Sequence, residues 1–181
     1  MPKPYLVLSG LPASGKTTLG RELASALDLP LIDKDDILER LFEARGIGET
    51  PWRRILSREA DDILRREVLQ ADGAVVVSFW HLPGMPADSG TPTDWLRELP
   101  APLLNVHCVC APEVAARRFL RRRRHAGHLD DRQSFADVLE SFHQLDGLAP
   151  LNLPRRIEID TSQTAPLDER LRAVQDALGG G

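Results

Sequence analysis

The chain has 181 residues, 42% of them apolar and 28% charged, a balance that suits a soluble protein with one substantial core, so one domain over 1–181 is expected. Its formal charge of −4 excludes a general pull toward nucleic acid or anionic lipid. No stretch has the apolar length to cross a bilayer, and Met1 to Pro4 lack the apolar centre of a secretory leader, so a cytosolic location is expected.

Five short runs rich in branched residues follow one another: "YLVLS" (5–9), "LPLI" (29–32), "AVVVSFW" (74–80), "LLNVHCVC" (103–110) and "RIEID" (156–160). They are continuous rather than alternating, the pattern of strands buried on both faces. Between them, apolar residues recur at helical spacing, as in Leu19, Leu23, Ala24 and Leu27, or Phe135, Val138, Leu139 and Phe142. Strands alternating with helices predict an α/β fold, a parallel sheet covered on both faces. Cys108 and Cys110, two residues apart in the fourth run, share one face of a strand; with no further ligand pair they read as reduced core thiols. The Pro/Gly-rich stretch 81–95 reads as a surface loop at the carboxyl edge of the sheet, where open α/β folds bind ligands.

Directly after the first strand, Gly10, Gly15, Lys16 and Thr17 fill the pattern G-x-x-x-x-G-K-[ST], and "TTLGRELASALD" supplies the helix that must follow. Glycines at 10 and 15 permit a tight turn. The loop of Leu11, Pro12, Ala13 and Ser14, running on to Thr18, then gathers its N–H groups, of which Pro12 has none, at a positive helix end around a phosphate. Lys16 adds a point charge for the β- and γ-phosphates, and the Thr17 hydroxyl is placed to ligate Mg²⁺. Only Lys3, Lys16 and Lys34 are lysines, every other cation being arginine, which sets Lys16 apart.

A nucleotide alone does not distinguish a kinase from a hydrolase or a switch. After the second strand comes "LIDKDDILERL", in which Asp33, Asp35 and Asp36 fall at the same carboxyl edge. A carboxylate there can take the proton of an attacking hydroxyl or hold Mg²⁺ through water, and it repels an acceptor that is itself a phosphate. The plainer reading makes Asp35 or Asp36 an N-cap, with Lys34 a solvent-facing partner. "TPWRRILSREADDILRREVL" supplies Trp52 and arginines for a wall of the acceptor pocket, and Trp80 and His81 close the third strand pointing into the cleft. The run "RRFLRRRR" (117–124) lacks the aromatics and basic surroundings of a nucleic-acid site. It reads as a lid that brings guanidinium groups over a transferring phosphate and excludes water.

Together these segments resemble the P-loop small-molecule kinases of the nucleoside-monophosphate-kinase-like group, which includes gluconate, shikimate and polynucleotide 5′-hydroxyl kinases and chloramphenicol phosphotransferase. The resemblance implies a three-layer P-loop fold, a five-stranded parallel sheet of order 2-3-1-4-5 and a short helical lid at about 118–132. "KDDIL" (34–38) is similar to the acidic acceptor motif of the polynucleotide kinases, which makes Asp35 the general base and leaves Asp33 beside it on the substrate; Leu38 stands where those enzymes carry an arginine, which argues against a nucleic-acid end. "APEVAARRFLRRR" resembles the lid-entry helix of gluconate kinases, with Arg118 and Arg122 at the paired arginines, and Thr161 and Ser162 after the last strand approach adenine. The expected activity is transfer of the γ-phosphoryl group of ATP, with Mg²⁺, to a hydroxyl of a sugar, polyol or antibiotic, by a monomer or homodimer. The alternatives are an NTPase or switch with no acceptor, and a kinase of a nucleic-acid end or nucleotide sugar.

Overall fold

A computed structural model describes residues 3–100, 102–128 and 133–179. Five strands form one sheet in the order β2-β3-β1-β4-β5: β1 Tyr5–Ser9, β2 Leu31–Asp33, β3 Ala74–Val77, β4 Leu103–Val109 and β5 Arg156–Asp160. All pairings are parallel, with Asp33 opposite Val77 and Ser9 opposite His107. β1 and β3 are buried along their whole length, as their unbroken apolar sequence predicts.

Alternate strand residues feed two cores. Leu6, Leu8, Val75, Val77, Leu104 and Val106 pack with α1 (Lys16–Leu27) and α6 (Leu167–Gly179). Tyr5, Val7, Ala74 and Val76 face α2 (Lys34–Arg45) and α3 (Thr50–Gln70), through Ile37, Phe42, Leu56 and Leu64. A smaller cluster joins α4 (Pro112–Arg121) to α5 (Phe135–Asp146), where the rings of Phe119 and Phe142 meet edge to face.

Several boundaries differ from the sequence pattern, β2 among them, which runs over Leu31–Asp33 instead of 29–32. β3 stops at Val77, so "SFW" leaves the sheet: Thr91 N donates to the Phe79 carbonyl and His81 N to that of Thr91, turning residues 80–91 into a closed loop at the carboxyl edge. β4 stops at Val109, but Cys108 and Cys110 are both buried and unoxidised, and burial pushes the Cys108 thiol up to about 12. The cap of α2 is Asp33 rather than Asp35 or Asp36; its carboxylate accepts from Asp35 N at 2.9 Å.

α4 ends at Arg121, and the chain runs without helix to a short turn at Ala126–His128. Residues 129–132 of the expected lid lie outside the described residues. The part described lies on α2. His128 Nε2 meets Glu39 Oε1 at 3.0 Å, His125 stacks on Phe42 at 5.3 Å, and a Cβ on Gly127 would come within 2.5 Å of the Phe42 ring. Among the described residues no helix is long and apolar enough to cross a membrane.

Candidate active site

The turn from β1 to α1 is built to leave amides unspent. Gly10 (φ 133°) and Gly15 (φ 100°) adopt backbone that side chains rarely tolerate, and a Cβ at Gly10 would lie 2.5 Å from the Cys108 carbonyl. Ala13 is also left-handed at φ 58°. Gly15 caps α1 without a side chain, so the first-turn amides keep their donors for an anion. Two further groups are held inside the same loop: Ser14 Oγ is buried without a hydrogen-bond partner, and Lys16 Nζ donates to the carbonyls of Gly10 (2.9 Å) and Leu11 (2.7 Å). Burial lowers the Lys16 pKa, partly offset by Cys108, Asp35 and Asp33. A buried lysine, an orphaned hydroxyl and converging amides fit a polyphosphate.

Thr17 ties this loop to the second strand, its hydroxyl donating to Asp33 Oδ2 at 2.8 Å. Burial, and next the neighbouring Asp35 carboxylate, raise the Asp33 pKa to about 6, against the pull of its two hydrogen bonds. An acid raised in the folded state binds protons that the unfolded chain has released, so between about pH 4 and 6 stability falls as pH rises. Asp33→Asn is therefore expected to be more stable than the parent above pH 6, by up to about 3 kcal/mol, with the difference gone below pH 4. Urea unfolding at pH 4 and pH 7.5 checks this; equal gaps at both pH values would contradict it.

A cleft of about 830 Å³ runs along the carboxyl edge. Pro12, Ala13, Gly15, Lys16, Thr17 and Thr18 line its middle. On the β4–β5 side it is lined by Glu22, Arg118, Thr161, Gln163, Thr164 and Arg170, and on the β2–β3 side by Asp33, Asp35, Arg53, Ser78, Arg124 and His128.

The arginine run divides its tasks. Arg118 donates from Nη1 to the Thr161 carbonyl (2.8 Å) and from Nη2 to that of Ser162 (2.7 Å), bracing the loop after β5. Ser162 itself turns back to Asp160, which accepts from its amide at 2.8 Å. Arg122 lines the cleft with its guanidinium 4.4 Å from the centre of the Phe119 ring. Arg124 reaches the far side, where Nη2 meets Asp35 Oδ2 at 2.5 Å.

Trp80 and His81 do not line this cleft. The Trp80 indole N–H donates to the Leu8 carbonyl at 2.7 Å and its rings pack near Trp95 in the core, because the chain turns away from the sheet at Ser78. His81 Nδ1 bonds the Ser89 carbonyl at 2.7 Å, closing the 80–91 loop. Trp52 likewise packs on the core and donates to Gly46, leaving Thr50 and Arg53 as the part of α3 that faces the cleft.

Lys34 is not a solvent-facing partner. It is buried, with Nζ 2.6 Å from Asp61 Oδ1 on α3 and 3.2 Å from Thr91 Oγ1. Burial lowers its pKa, and Asp61 raises it. Ser78 carries no sequence signal beyond its position directly after the Val77 that pairs with Asp33, whereas Arg53 falls in the segment expected to wall the acceptor pocket, and Arg124 and His128 fall in the expected lid.

The family described as an AAA domain (AAA_33) matches residues 6–145. Over 78 residues the chain is 44% identical to the shikimate kinase of Corynebacterium jeikeium (strain K411), a match spanning 40% of this chain and 40% of that protein. The chain thus covers well under half the length of the curated relatives it matches. A Chloroflexus aurantiacus j-10-fl protein provisionally described as a kinase is similar over 98% of this chain and 100% of its own, at 28% identity and a TM-score of 0.80. A gluconokinase from Sinorhizobium meliloti 1021 is similar over 99% of this chain and 91% of its own, at 25% identity and a TM-score of 0.58. The family match runs from β1 through the phosphate loop, α2 and the arginine helix to the end of α5. The chain therefore belongs to the AAA domain family and has the nucleotide-binding fold of the P-loop kinases.

Proposed function

We propose that the protein transfers the γ-phosphoryl group of ATP, with Mg²⁺, to a hydroxyl of a small molecule. The observation that carries this reading is one cleft holding a phosphate loop and a carboxylate, Asp35, on the side away from the β4–β5 loop. Loop amides, Ser14 and Lys16 would hold the phosphates, and Thr17, oriented by Asp33, would ligate the metal. Bound Mg²⁺ offsets the charge of the phosphate oxygens during transfer. Arg118, Thr161, Gln163 and Thr164 would wall the adenine end, whereas Ser162, expected there from the sequence, is turned back to Asp160 and does not line the cleft. Arg122 faces the phosphate loop, where a guanidinium counters developing charge.

Asp35 is the base that accepts the hydroxyl proton. Its ion pair with Arg124 fixes the carboxylate before an acceptor arrives. Arg53 and Arg124 on the same side suit an acceptor that bears a carboxylate beside its hydroxyls. Gluconate and shikimate, the hydroxy acids for which the relatives are named, head the candidates, followed by sugars, polyols and antibiotics. An ATP-dependent enzyme of this kind works in the cytoplasm.

The test is a screen of those compounds for acceptor-dependent ADP release. At least one hydroxy compound is expected to raise ADP release over the rate with ATP alone. ATP turnover that no acceptor stimulates would favour the NTPase or switch.

A further inference from the structure

The far side of the cleft contains a chain of polar groups, nearly withdrawn from water, in which both hydroxyl hydrogens can be assigned. Asp61 on α3, Lys34 at the start of α2, Thr91 at the end of the 80–91 loop and Ser78 just after β3 meet in the core between these elements. Lys34 Nζ lies 2.6 Å from Asp61 Oδ1 and donates to Thr91 Oγ1 at 3.2 Å. Thr91 Oγ1 donates its single hydrogen to Asp61 Oδ1 at 2.7 Å, since a carboxylate can only accept. The 2.6 Å contact between Ser78 Oγ and Thr91 Oγ1 then requires Ser78 to be the donor.

Ser78 has thereby spent its hydrogen inside the protein. What remains on its oxygen is lone pairs, and Ser78 lines the cleft beside Asp33 and Asp35. An ordinary serine rotates to give or accept as its partner demands; this one can only accept. Replacing the buried charged pair by apolar residues would serve stability about as well, so the pair is weak evidence of a purely structural role.

We propose that Ser78 is a specificity-determining residue, an acceptor-only oxygen that reads a second hydroxyl of the molecule phosphorylated, with Lys34, Asp61 and Thr91 as positioning residues that hold it in that state. The inference rests on the kinase reading above and extends it to a substrate class: polyhydroxy compounds in which a neighbouring hydroxyl donates to the protein, in preference to simple alcohols. A site that accepts from a substrate hydroxyl discriminates strongly against the analogue lacking it, because a buried lone pair is left unmatched.

The experiment uses the 181-residue chain with gluconate, shikimate and glycerol, each compared with analogues lacking one hydroxyl, and measures kcat/KM by ADP release. For an acceptor that is turned over, one deoxy position is expected to cost the wild type about tenfold or more. In Ser78→Ala that preference should shrink to about twofold or less, through loss of activity on the parent polyol only, with KM for ATP unchanged. Thr91→Val, which removes the acceptor that fixes the Ser78 hydrogen, should weaken the same preference, and melting curves confirm that both variants are folded. A Ser78→Ala variant that keeps the wild-type preference, or loses activity equally on parent and deoxy compounds, overturns the proposal and leaves the kinase reading standing. Absence of acceptor-dependent ADP release from the whole panel and from the wider screen overturns both.

Discussion

Replacing Asp35 with asparagine is expected to lower the rate of phosphoryl transfer by about 10²- to 10⁴-fold while ATP affinity stays within about twofold of the parent. Asparagine has the same shape and keeps an oxygen for Arg124, so the docking of residues 124–128 on α2 is preserved; what it lacks is the ability to take a proton. ATP affinity is spared because the phosphate loop and the Thr17–Asp33 hydrogen bond do not involve the Asp35 side chain. Single-turnover transfer rates, set beside ATP titrations by calorimetry, separate the two quantities. Full turnover in this variant would remove Asp35 as the base and pass the role to Asp33, the next carboxylate along the same edge.

The largest effect on stability is expected from Lys34→Met. Lys34 and Asp61 are both nearly withdrawn from water, and removing the cation strands a carboxylate in the core between α2 and α3. Losing one partner of such a pair costs about 3–5 kcal/mol, whereas replacing both with apolar residues is close to neutral. Urea unfolding should therefore show a large loss for Lys34→Met and recovery of most of it in the paired variant Lys34→Met/Asp61→Leu. A loss under about 1 kcal/mol in the single variant would mean that Asp61 finds water when its partner is gone.

The contrast between these two residues shows what the sequence could convey. Asp35 was legible because its neighbours in the chain, Asp33 and Asp36, and the preceding strand place it at the sheet edge. The phosphate loop was legible for the same reason, its glycines, lysine and threonine being consecutive or nearly so. Lys34 was misread as solvent-facing because its burial depends on Asp61 and Thr91, which arrive from another helix and from a loop. Trp80 was misplaced because the strand pattern in "AVVVSFW" continues past Val77, while the hydrogen bonds of Phe79 and His81 to Thr91 pull the chain out of the sheet. In the arginine run, composition pointed to cationic groups at the cleft but could not divide the labour. Only the fold brings Arg118 to the Thr161 and Ser162 carbonyls and Arg124 to Asp35.

The division between donor and acceptor sides also gives meaning to Thr17. Its hydroxyl touches the carboxylate that caps α2, so the proposed metal ligand and the helix that carries the proposed base are joined by one hydrogen bond and one cap. Of the two aspartates only Asp33 touches both halves of the cleft, so Asp33→Asn is read by stability against pH and Asp35→Asn by transfer.

In the proposed reaction the phosphoryl group ends on a hydroxyl of a small molecule and not on water. Phosphorus NMR of the reaction with ATP, Mg²⁺ and the acceptor that most stimulates ADP release tests it directly. A new phosphate monoester resonance is expected to grow in step with ADP and to be absent when Asp35→Asn replaces the parent. Inorganic phosphate alone, formed in step with ADP whatever acceptor is present, would contradict it.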